Sequence, residues 1–133
     1  MSAEANLKAV RGIYEAFGTG DVNAILDQLT DDIDWSADAA TDQVPWYGPR
    51  HGKDEVAKFF ADIAGATEVL DFEPRSFAAN EDEVMVLIRS HLRVKATGNE
   101  TDMNLHHYWH FRDGKVDRYR GSEDTAQMAS AMG

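Results

Sequence analysis

Asn104-Leu105-His106-His107-Tyr108-Trp109-His110-Phe111, then Arg112-Asp113-Gly114-Lys115, then Val116 to Glu123 carry the clearest strand–turn–strand pattern in the chain. Asp-Gly between two runs rich in aromatic and β-branched residues marks a two-residue hairpin turn, because a type I′ turn needs positive φ at both central positions. Side chains alternate across a strand. Leu105, His107, Trp109 and Phe111 therefore share one face, and His106, Tyr108, His110 and Arg112 the other. The first face is apolar except for His107, which is expected to point inward among aromatic rings.

Upstream, Glu83 to Ala96 reads as a strand with Val84, Val86, Ile88, Ser90, Leu92 and Val94 on its inner face and Met85, Leu87, Arg89, His91, Arg93 and Lys95 on its outer face. Glu68 to Phe77 reads as its partner, with Asn80-Glu81-Asp82 as the turn between them and Thr97-Gly98-Asn99 as the turn into the first hairpin. Ile33 to Ser36 is a short strand. Leu7, Val10, Ile13, Tyr14 and Phe17 fall at helical spacing, and Gly18 and Gly20 end that helix. Asp21 caps a second helix with Val22, Ile25, Leu26 and Leu29 as its stripe. A third, from about Lys53 to Ile63, buries Val56, Phe59, Phe60 and Ile63. Ala37 to Gly52, with Pro45, Gly48 and Pro49, reads as a loop. Its Trp46-Tyr47 pair is costly to leave in water, so the loop either covers a pocket mouth or plugs the core. Helices followed by an antiparallel meander predict one α+β domain over residues 1–133, with helices on one side of a curved sheet.

The chain has 133 residues, 43% of them hydrophobic, and carries 24 acidic against 13 basic side chains for a net charge of −11. That surface repels phosphate backbones, so nucleic acid is not an expected partner. No apolar run is long enough to span a membrane, and the first residues lack the apolar centre of a secretory leader. Without cysteine there is no disulfide, thiol nucleophile or cysteine metal site to consider; the cytoplasm is the default location. His106 and His110 lie roughly 13 Å apart along a strand and His107 faces away from both, so no metal site is expected. No glycine-rich phosphate loop or nucleophile elbow is present.

Tyr14-Glu15-Ala16-Phe17, Gly20-Asp21-Val22, Leu29-Thr30-Asp31-Asp32 leading to Trp35, Gly52-Lys53-Asp54 and Phe111-Arg112-Asp113-Gly114-Lys115-Val116 occur in an order and spacing that resembles the SnoaL-like branch of the nuclear transport factor 2-like superfamily. This superfamily also holds the ketosteroid isomerases. The resemblance implies a cone-shaped α+β barrel with an internal pocket between sheet and helices, and a homodimer joined through the outer sheet face, where Arg89, His91 and Arg93 form a row. It does not name a reaction, because the fold hosts enzymes, binders and dimerisation modules alike. The tyrosine and two aspartates of the ketosteroid isomerases fall on Ile13, Ala37 and His107. Tyr14 and Asp38 stand one residue beyond the first two, and one residue turns a helix by about 100°. The acid–base aspartate of the SnoaL-type cyclases falls on Gly121, with Glu123 two residues on and so on the same face.

The candidate catalytic residues are accordingly His107, Glu123, Tyr14 and Asp38. A neutral His107 takes or gives a proton, and a carboxylate from Asp34, Asp38 or Glu123 facing it would orient the ring or act as the second acid–base group. Tyr14 or Tyr119 would hydrogen-bond a developing oxyanion. The candidate wall is Trp35, Trp46, Trp109, Tyr119, Ile88, Ser90 and Phe59. The expected activity is that of an isomerase, cyclase or hydrolase without cofactor, acting on an apolar, oxygen-bearing small molecule. The alternatives are a small-ligand binder, which an open cavity lined only by apolar groups would favour, and a dimerisation module, which predicts a pocket filled by side chains with His107 fully satisfied.

Overall fold

The structure, a computed structural model, describes residues 2–133. Its centre is the hairpin of β5 (Glu100–Arg112) and β6 (Lys115–Ser122), in which Arg112 pairs with Lys115 across Asp113 (φ 51°) and Gly114 (φ 81°). Both turn residues are left-handed, as a two-residue connection between twisted strands demands. Outward from β5 lie β4 (Glu83–Val94) and β3 (Thr67–Ala79); outward from β6 lie β1 (Leu29–Ala37) and β2 (Gly48–His51). The sheet order is β2-β1-β6-β5-β4-β3, and only the β1–β6 pair is parallel. The curved, unclosed sheet has α1 (Ala3–Thr19), α2 (Val22–Leu26) and α3 (Gly52–Ala66) on its inner side, and α4 (Thr125–Met132) follows β6. No helix among the described residues is long and apolar enough to cross a membrane.

The alternation read along β4 and β5 holds. Val84, Val86, Ile88, Ser90 and Val94 are buried with Leu105, Trp109 and Phe111, while Met85 is 54% exposed. On the outer face the basic row is paired within the chain. Arg89 meets Asp102 at 2.8 Å, His91 meets Glu100 at 2.6 Å, and Arg93 meets Glu68.

Five features differ from the sequence reading. Leu29 is buried in a strand rather than on the second helix, and β1 runs for nine residues instead of four. The stretch 37–52 contains β2, whose Gly48 and Pro49 read as loop punctuation; a proline is tolerated there because β2 is an edge strand pairing only with β1. The C-terminal α4 is too short to show a periodic stripe beyond Met128 and Ala131, although Asp124 caps it by accepting from Gln127 N at 3.1 Å. Asn6, on the helix face read from its apolar members, is buried, and its Nδ2 donates to Asn80 O at 3.2 Å and Glu81 O at 2.8 Å. This ties α1 to the β3–β4 turn and seats Tyr14 over β5.

Candidate active site

The inner face of the sheet and the helices enclose a cavity of about 80 Å³. Its wall is aromatic because β1 and β6, running parallel, present Trp35 and Tyr119 as register partners on the same side. Their rings stack at 3.9 Å between centroids and 23° between planes. Trp109 meets Trp35 edge-on at 5.7 Å, and Phe59 from α3 does so at 5.3 Å. Stacked and edge-to-face pairs of this kind fix ring positions beyond what area burial alone does.

One polar chain crosses this apolar wall. Tyr14 reaches from α1 to β5, where its hydroxyl lies 2.7 Å from His107 Nδ1 and accepts from Trp109 Nε1 at 3.2 Å. An indole N–H can only donate, so Trp109 gives its proton to the Tyr14 oxygen. The Tyr14 hydroxyl, having accepted from Trp109, is assigned as the donor to Nδ1, which leaves the Nε2–H as the one donor of this chain of bonds without an acceptor among the described residues. This puts the imidazole proton on Nε2, an assignment by hydrogen-bond logic. Nε2 has no hydrogen-bond partner among the described residues. Burial pushes the His107 pKa down to about 3, with a smaller contribution from the charge of His106. Burial also raises the Tyr14 phenol well above its ordinary value, against the opposing effect of the Trp109 bond. Both groups are neutral around pH 7, and His107 presents an N–H rather than a lone pair.

Glu123, just past the end of β6, is the carboxylate of this cavity. Its pKa is raised by burial, with the hydrogen bond from Tyr47 pulling the other way and the charge of Asp124 adding to the rise. Tyr47 donates to Oε2 at 2.7 Å, and Oε1 is without a partner among the described residues. Tyr119 is buried, and its hydroxyl too makes no hydrogen bond there. Burial above all, and then repulsion from Tyr14, Glu123 and Asp38 when these are ionised, keep its phenol far above its ordinary pKa.

The structure brings together on the cavity wall His107, Glu123, Tyr14, Trp35, Trp46, Trp109, Tyr119, Ser90 and Phe59. It does not bring in Asp38, which is exposed, accepts from Ser36 Oγ at 2.7 Å and lines an open groove outside the cavity. Ile88 is fully buried in the core and opens no surface to the cavity. The expected His107–carboxylate contact is replaced by the Tyr14 hydroxyl. Asp34 is held by Arg120 at 3.0 Å, and Glu123 bonds Tyr47 instead.

Sequence reasoning missed Thr101, whose buried Oγ1 is unpartnered on the cavity wall, and so is Trp35 Nε1. Thr101 shares the inward period of Met103, Leu105 and His107, so extending β5 backward by three residues would have found it.

An apolar protein cavity of about 150 Å³ accepts benzene, so a ring enters this smaller one only where the wall gives. Residues 38–47 join β1 to β2 without regular structure, and the Tyr47–Glu123 bond fastens them to the chain just past β6. Replacing Tyr47 by phenylalanine removes that bond and leaves the ring. Amide hydrogen exchange across residues 38–47 is expected to speed up roughly tenfold, the equivalent of about one hydrogen bond. Unchanged exchange there would show that the bond does not hold the segment.

Residues 10–119 match the family model described as a SnoaL-like domain. The fold matches that of an NTF2-like protein from Burkholderia xenovorans LB400 with 26% identity, 100% of this chain and 99% of the other covered, and a TM-score of 0.90. An NTF2-like protein of unknown function from Burkholderia pseudomallei K96243 is 25% identical, with 99% and 98% covered and a TM-score of 0.87. TerC, co-crystallised with polyporic acid, is 23% identical, with 96% and 98% covered and a TM-score of 0.83. No curated protein sequence matches the chain.

Proposed function

The chain belongs to the SnoaL-like domain family, and from that premise we propose that it is a cofactor-independent acid–base enzyme acting on a small, mostly apolar carbonyl compound. The observation that carries this reading is the Trp109–Tyr14–His107 chain of hydrogen bonds, which ends at a His107 Nε2 without a partner among the described residues. An N–H donor fixed in an apolar pocket stabilises oxygen charge as it develops, at little reorganisation cost. Glu123 supplies the base. Its raised pKa makes its carboxylate a stronger proton acceptor, and Oε1 is the free oxygen.

In the step proposed, Glu123 Oε1 takes a proton from the carbon next to the carbonyl. The C–H electron pair becomes the C=C bond of an enolate, and the former carbonyl oxygen carries the negative charge against His107 Nε2–H. Return of the proton from Glu123 to a different carbon of the conjugated system completes an isomerisation. Protons and electrons balance without an external oxidant or reductant.

A second reading, a binder using the same cavity, draws support from the missing His107–carboxylate contact. One experiment separates the two. The protein is incubated in D2O with 2-cyclohexenone, other small enolisable ketones and polyporic acid, and deuterium incorporation and line broadening are followed by NMR. Catalysed exchange next to a carbonyl, lost in Glu123→Gln, is the expected result. Binding without exchange for every compound overturns the enzyme reading in favour of the binder.

A further inference from the structure

Tyr119 and Gly121 stand two residues apart on β6 and so face the same side. Gly121 is the direct cross-strand partner of His107. A Cβ added to Gly121 would lie 2.4 Å from the Tyr119 hydroxyl oxygen, 3.1 Å from Cζ and 3.4 Å from Cε2. The phenol therefore lies down along its own strand and fills the space of the absent side chain. Backbone conformation does not call for glycine here, since Gly121 is not among the glycines with positive φ. A glycine inside a strand weakens it and marks a place where another group comes close; at Gly121 that group is the hydroxyl of Tyr119. Trp35 stacked on one face and His107 edge-on at 5.2 Å hold the ring in this pose.

We propose that Gly121 is a positioning residue that lays the Tyr119 hydroxyl beside His107, so that Tyr119 Oη–H and His107 Nε2–H together hold one ligand oxygen. This rests on the acid–base reading above and narrows it to ligands with a single carbonyl or enolate oxygen on a flat, conjugated frame. The phenol of Tyr119 stays protonated, because burial and the surrounding negative groups oppose its ionisation; it serves as a donor, not a base.

The test uses the full chain, 2-cyclohexenone as probe, and the variants Gly121→Ala, Tyr119→Phe and their double. Affinity and the infrared carbonyl band of the bound probe are both read. Tyr119→Phe is expected to weaken binding about tenfold, the worth of one good hydrogen bond, and to shift the band to higher wavenumber. Gly121→Ala is expected to do the same by displacing the hydroxyl. The double variant should then bind within about twofold of Tyr119→Phe alone, since the lost contact can be lost only once.

Penalties that multiply in the double variant overturn the positioning role of Gly121. A band unmoved in Tyr119→Phe, which needs no Gly121 variant to fold, overturns the donor role while leaving His107-dependent exchange standing. No binding of the probe by the unsubstituted protein overturns the acid–base reading and this inference with it.

Discussion

Replacing His107 by glutamine is expected to lower the rate of exchange next to the carbonyl by about 10²–10⁴-fold, the usual range for a positioned acid–base or oxyanion-holding group. The loss should fall on kcat more than on KM, because the Nε2–H contact strengthens as charge builds on the oxygen. Tyr14→Phe tests the same chain from its other end. It removes the hydroxyl that donates to Nδ1 at 2.7 Å and leaves the ring packed against Phe72, Phe77 and Trp109. Freed of that bond, the imidazole can adopt either tautomer, so a smaller loss of about tenfold is expected. Equal activity of unsubstituted protein and His107→Gln would remove His107 from the chemistry.

Acid should destabilise the protein through the same side chain. Folded His107 is neutral down to about pH 3 against an ordinary value of 6.5. Between those values the unfolded chain binds a proton that the folded chain does not, so stability rises with pH and is lost as pH falls from 6.5 toward 3. The full loss is on the order of 5 kcal/mol, near 1.4 kcal/mol per pH unit.

Other groups act differently in this range. Asp32, Asp34, Asp62 and Glu83 have lowered pKa values, so the stability they contribute is lost only below about pH 4.5. Glu123, with a raised pKa, contributes the opposite slope; its stabilising effect is complete at low pH and fades as pH rises through its folded pKa. Urea unfolding at intervals from pH 7 to 4.5 should therefore show a decline in the unsubstituted protein that His107→Gln lacks. Parallel curves would mean that His107 titrates alike in both states.

The features legible in the sequence are those fixed by short-range rules. Asp113-Gly114 announced a two-residue turn, and the period of two along β5 turned His107 and Trp109 inward. What decides the chemistry is long-range and was not legible. Tyr14 and His107 are separated by 93 positions, and no local pattern says that a phenol rather than a carboxylate will meet the imidazole. The same holds for Tyr47 and Glu123, 76 positions apart. Asp38 was singled out by its nearness to a family position, yet a carboxylate in a segment leaving the sheet is solvated more cheaply than buried, and it stays outside the cavity. Gly121 read as an absent aspartate. Its meaning lies in the space that it leaves to Tyr119.

The nitrogen-15 spectrum of the His107 ring, followed from pH 8 to pH 3.5 in the ligand-free protein, reads the proposed donor itself. A neutral ring with its proton on Nε2, unchanged down to about pH 4, is the predicted result. A ring that titrates near 6.5, or one protonated on Nδ1, would contradict it, because neither would leave the cavity with the fixed N–H donor on which the proposed chemistry depends.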